Sequence, residues 1–166
     1  YKSFNDYFSK LGYMIANSEE KTEVAVVTPM ESIYLDYLRL SEDKSRTEVD
    51  VPFIGLLSEL KKRGVSYHFI NEKIAEKLGR VENGKLIIGE KSYSQVVLNP
   101  AKEMKSSTLS LLKEFSAEGG EIFGKILPEF IDGKRAEVTL PLVSDFDKLK
   151  KPTEITFDGE PSYSYR

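Results

Sequence analysis

The side chains with chemical potential in this chain sit where apolar runs end. Glu31-Ser32 follows the run Glu23–Pro29, Asn71-Glu72 follows Ser66–Ile70, and Asn99 closes Val96-Val97-Leu98. A carboxylate, a hydroxyl and two carboxamides at such joints suit a hydroxyl-rich ligand, held by hydrogen bonds rather than by charge. Glu31, Ser32, Asn71 and Asn99 are therefore the candidate ligand-binding residues. Each also has a plain structural reading. Glu31 and Ser32 suit the start of a helix, where the dipole favours an acid. Asn71 suits a helix cap. Asn99-Pro100 ends a strand, because proline lacks an amide hydrogen and restricts the residue before it. Glu31 and Glu72 are also the carboxylates that a hydrolytic mechanism would use.

Composition removes other chemistry. Cysteine is absent, so disulfides, thiolate metal sites and cysteine nucleophiles are excluded together. His68 is the single histidine, and a metal site or proton relay needs partners that the sequence does not supply. No metal is expected. Gly119-Gly120 follows a helical pattern, whereas a phosphate cradle precedes one, so no nucleotide, flavin or other cofactor is expected. Lys61-Lys62-Arg63 belongs at a helix C-terminus. A net charge of −3 offers no basic face for nucleic acid. No apolar run approaches the length of a membrane span. Tyr34 and Tyr37 flank a polar stretch and are candidates to stack on a sugar ring, with interdomain or core packing as the plainer reading.

These joints must be positioned by elements, and the elements are legible as patterns. Phe4, Tyr7, Phe8, Leu11 and Ile15 mark one face of a helix over Phe4–Ala16. Glu23–Pro29 reads as the first strand, followed by one or two helical turns through Ile33–Leu38 and a polar loop over Ser41–Asp50. A helix then starts near Pro52, carries Phe53, Leu56, Leu57 and Leu60, and stops at Gly64. Ser66–Ile70 is the second strand, and Asn71 caps a short helix to Leu78. Leu86–Ile88, Gly89 and Tyr93 outline a hairpin leading into Val96–Leu98, a strand apolar enough to be covered on both faces. A helix from Ser106 or Ser107 turns Leu109, Leu112 and Phe115 inward and is stopped by Gly119-Gly120. Glu121–Ile126 is the fourth strand. Val138–Leu142 touches the core, Asp145–Leu149 forms a short helix, and Thr153–Phe157 is the fifth strand. This alternation predicts an α/β fold, a mostly parallel sheet in the order 2-1-3-4-5 with helices on both faces. Its binding crevice lies at the C-terminal ends of the strands.

The blocks YFSKLGYMIANS, VAVVTPMES, SYHFINEK, NGKLIIGEKSYSQVVLNP and STLSLLKEFSAEGGEI, in this order, carry a resemblance over about Tyr7–Lys125. They resemble the class I glutamine-amidotransferase-like, flavodoxin-type domain of large bacterial glycoside hydrolases. The likeness is to family-106 α-L-rhamnosidase-like proteins, and also to the trimerisation domain of family-42 β-galactosidases. It implies a three-layer flavodoxin-like sheet with an inserted β-hairpin and no catalysis of its own. It further implies that residues 1–20 form a helix leaving an upstream barrel, 21–158 form the domain, and 159–166 lead to a downstream β-sandwich. The parent would hydrolyse glycosidic bonds with carboxylates outside this segment. The implied partners are neighbouring domains of the same polypeptide, a carbohydrate and a second copy of the protein, with neither nucleic acid nor membrane. The absence of cysteine does not fix the compartment; an extracytoplasmic setting, periplasmic or secreted, is favoured over a cytoplasmic one. The amidotransferase cysteine is missing, so that chemistry does not carry over. The alternative function is a module that binds a small sugar or metabolite in the crevice.

Overall fold

The computed structural model describes residues 1–18, 22–30, 32–33 and 47–151. The expectations for Glu31, for Tyr34 and Tyr37, for the loop from Ser41 to residue 46, for a strand at Thr153–Phe157 and for a linker at 159–166 lie outside the described residues. Helix α1 (Lys2–Ala16) belongs to one compact unit, and Thr22–Lys151 forms another. Within α1 the aromatic stripe is real. The rings of Phe4 and Phe8 lie 4.6 Å apart between centroids, and Tyr7 meets Phe8 edge-on at 5.4 Å.

In the larger unit the backbone runs through β1 (Val24–Val27), α2 (Thr47–Lys62), β2 (His68–Ile70), α3 (Glu72–Leu78), β3 (Gly79–Glu82), β4 (Lys85–Ile88) and β5 (Lys91–Tyr93). It continues through β6 (Gln95–Val97), β7 (Glu103–Met104), α4 (Ser106–Ala117), β8 (Glu121–Phe123), β9 (Phe130–Ile131), β10 (Lys134–Arg135) and β11 (Leu142–Val143), then a 3-10 turn at Phe146–Lys148. Five strands form one all-parallel sheet in the spatial order β2-β1-β6-β8-β11. The protein is thus α/β, with helices flanking a parallel sheet.

Side chains of one strand alternate between faces, which explains the apolar runs. Val24 and Val26 of β1 join Val97 and Phe123 on one face, under Leu56 and Leu60 of α2 and Phe146 of the 3-10 turn. Ala25 and Val27 join Val96 and Ile122 on the other, under Ala75 of α3 and Leu112 and Phe115 of α4. Two smaller sheets adjoin. One is the antiparallel meander β3-β4-β5, which docks Val81, Leu86 and Tyr93 on the second face. In the other, β7 pairs parallel with β9, and β10 returns antiparallel.

Three expectations are corrected. Thr47–Asp50 is helical, not loop, because α2 starts before Pro52 and runs through it. The proline removes one backbone donor near the helix start without ending the helix. Strand β3 follows α3 with no intervening loop and makes the insert three-stranded. The fifth strand of the large sheet among the described residues is β11, parallel to β8; Leu142, expected only to touch the core, begins it, and Val143, assigned to no element, completes it.

The α4 terminus separates the roles of its two glycines. Gly119 adopts φ +95° and its N–H donates to the Ser116 carbonyl, while the Gly120 N–H donates to the Phe115 carbonyl at 2.9 Å. This paired arrangement is a Schellman motif. Gly119 supplies the left-handed backbone. Gly120 supplies space, since a Cβ there would stand 2.2 Å from the ring of the buried Phe115.

At the N-terminal end of the sheet, Gln95 is fully buried at the first position of β6. Its amide donates to Glu121 Oε2 at 2.7 Å and to the Lys148 carbonyl at 3.2 Å, and its oxygen accepts from the Lys150 N–H at 2.7 Å. Beside it, Glu23 pairs with the Lys150 ammonium and accepts from the Ser94 hydroxyl at 2.7 Å. Lys150, then Ser94, hold the Glu23 carboxyl below its ordinary value of 4.5. A depressed folded-state value means that the contact stabilises above the unfolded-state pKa and fades as pH falls through the folded value. Unfolding free energy, followed by urea midpoints, is therefore expected to decline on acidification below the ordinary glutamate range. Glu23→Gln should flatten part of that decline. An acid limb identical to the parent's would show that the pair contributes nothing.

Candidate functional site

The C-terminal ends of β1, β2 and β6 meet through hydrogen bonds that the side chains themselves make. Thr28, just past β1, donates its backbone N–H at 2.9 Å and its hydroxyl at 3.1 Å to the Ile70 carbonyl that ends β2. Asn99, just past β6, donates Nδ2–H to the Val27 carbonyl at 2.7 Å and accepts the Ala101 N–H on Oδ1 at 2.7 Å. Its side chain spans two strand ends and also turns the backbone after Pro100. Asn71 accepts the Lys73 N–H at 2.9 Å and caps α3, a contact worth roughly 1 kcal/mol in comparable helices.

Two of the four candidate residues are thus engaged by backbone groups. Asn99 keeps one amide N–H and one oxygen lone pair beyond these bonds. Ser32 differs. It lies in a helical stretch past β1, it is buried, and its hydroxyl has no hydrogen-bond partner. Glu31 lies outside the described residues.

Glu72 is buried at the first position of α3, and its Oε2 accepts the Lys105 N–H at 2.8 Å. Lys105 in turn reaches Glu76 of α3 at 3.2 Å. The acid ties the start of α4 to the start of α3, so its place is a joint between helices and not an open cleft. His68 is half-buried. Its Nδ1 lies 3.0 Å from the Tyr93 hydroxyl, with the two rings edge-on at 5.8 Å. Among the described residues no three His, Asp or Glu side chains gather as a metal centre would require, and no helix is long and apolar enough to cross a membrane.

Surface grooves lie elsewhere among the described residues. One of about 470 Å³ runs along Ile54, Leu57, Lys61 and Tyr67, and one of about 330 Å³ lies at Pro128, Glu129 and Arg135. Neither is lined by Ser32, Asn71 or Asn99.

Sequence reasoning did not single out Thr28, Gln95 or the tie made by Glu72. A polar residue opening the apolar run Val96-Val97 was the available signal for Gln95, because a buried carboxamide needs partners on both of its ends. No protein-family model matches the sequence, and no curated protein is detectably similar to it.

Proposed function

We propose that the protein is a non-catalytic, flavodoxin-like domain of the class I glutamine-amidotransferase-like kind, serving an architectural role in a multidomain bacterial glycoside hydrolase. The observation that carries the non-catalytic reading is the engagement of the strand-end side chains. Asn99 bridges β1 and the segment after β6, and Asn71 caps α3. Asn71 and Asn99 at this rim act on the protein's own backbone. The parallel order of the five strands supports the flavodoxin-like layout. The glycosidase setting rests on the resemblance of the sequence blocks alone. In that setting the domain holds a catalytic barrel against later modules, shapes one wall of its cleft, or supports contacts between copies.

A thermal-shift series with monosaccharides and nucleotides tests the reading. No saturable rise in melting temperature is expected, since a ligand that binds only the folded state would raise it with concentration. Reproducible saturable stabilisation by a sugar would replace the architectural reading with that of a binding module. Sequencing the complete reading frame tests the setting. A frame that encodes neither a barrel upstream nor a β-sandwich downstream overturns it.

A further inference from the structure

We infer that Asn83 is a site of spontaneous covalent modification, deamidation through a cyclic imide with Gly84, and that Glu118 guards it in the folded protein. Asn83 is the only asparagine in the sequence followed by glycine. The pair forms the two-residue loop between Glu82 and Lys85, which face each other across β3 and β4. Both loop residues have positive φ, 54° and 71°, the signature of a type I′ turn. Glycine here leaves the following nitrogen unhindered by any substituent on its α-carbon.

The chemistry needs that nitrogen. The Gly84 nitrogen, on losing its proton, attacks Asn83 Cγ. The new ring C–N bond forms, the bond between Cγ and Nδ2 of the carboxamide breaks, and ammonia leaves carrying the proton. Water then opens the imide at either carbonyl, leaving aspartate or isoaspartate.

In the folded protein the Gly84 N–H donates to Glu118 Oε2 at 3.0 Å. The Gly84 backbone also lies hard against the end of α4, since a Cβ there would stand 2.8 Å from the Glu118 carbonyl oxygen. Attack requires the nitrogen to leave this bond and the turn to leave its packed geometry. Reaction therefore proceeds through local opening, and its rate follows the population of the opened turn.

The same clamp occurs a second time. Asp132-Gly133 is the loop between Ile131 and Lys134, also with positive φ at both residues. The Gly133 N–H donates to Glu103 Oε1 at 2.9 Å, and Asp132 Oδ1 accepts the Ser106 N–H at 3.2 Å. In these two Asx-Gly turns of the described residues a glutamate from another element holds the nitrogen that would attack.

The test incubates the purified protein at neutral pH and follows position 83 by peptide mass and by chromatographic separation of the isoaspartyl form. In urea, conversion at Asn83 is expected to be many-fold faster than in native buffer. Folded Glu118→Ala should convert several-fold faster than the parent, and Glu118→Gln, whose amide oxygen can still accept, should stay near the parent rate. Equal rates for the native and urea-unfolded parent overturn the proposal even if the alanine variant fails to fold. A folded alanine variant that converts no faster also overturns it. Slower conversion in that variant would make Glu118 a base that promotes the reaction, and likewise overturns its role as guard.

Discussion

Phe115→Ala is expected to lower the free energy of unfolding by about 3–5 kcal/mol, the range for truncating a buried aromatic ring. Phe115 is fully buried on the α4 side of the sheet, among Leu112, Val96 and Ile122. Its ring also fills the space directly over Gly120. Gly120→Ala attacks the same contact from the opposite side. A methyl group placed 2.2 Å from ring carbons forces the ring or the helix end to shift, with an expected cost of about 1–3 kcal/mol. Because the two changes share one volume, the double variant should lose less than the sum of the single losses. Urea denaturation of the three variants gives the comparison. Strict additivity would mean that the methyl group is accommodated elsewhere and that the ring does not fix the helix terminus.

Gln95→Leu is expected to cost about 1–3 kcal/mol in total, since its partners lie on exposed residues that water can partly pair again. The substitution keeps much of the side-chain volume but removes the carboxamide that joins the Lys148 carbonyl, the Lys150 N–H and Glu121. The loss should be felt locally as well. Phe146 and Leu149 are buried beside these bonds, so hydrogen exchange at Lys148 to Lys150 should quicken before the sheet opens. A leucine variant with unchanged stability and unchanged exchange would show that the 3-10 turn is held by Phe146 and Leu149 alone.

Much of the scaffold was legible because its signals are local. The stripe of α1, the apolar runs of β1 and β6, the cap at Asn71 and the glycine stop after α4 each declare themselves within a few residues. What escaped depends on distant pairing. Strand β11 is two residues long and exists only because it lies beside β8. The pairs β7-β9 and β9-β10 are as short, and no periodicity can develop over such lengths. Strand β3 was within reach, since Asn83-Gly84 is the strongest short-range hairpin signal and marks its end. It escaped because α3 passes directly into it at Gly79, where even a Cβ would strike the Ala75 carbonyl. At the rim, residue type and place were readable but not engagement. That Asn99 holds the Val27 carbonyl is a contact across 72 positions of sequence, invisible to any local pattern.

The position of β6 has a consequence for synthesis on the ribosome. Gln95–Val97 supplies the neighbour of β1 on one side and of β8 on the other. As the polypeptide emerges, β1 can meet only β2 among these strands until β6 is out, and the edge of β1 that pairs with β6 has no lateral neighbour. The interior is closed later still, when Phe146 and Leu149 arrive over Val24 and Phe123. A nascent polypeptide stalled between these points presents an incomplete sheet with bare valine rungs, the stage at which a chaperone has most to shield.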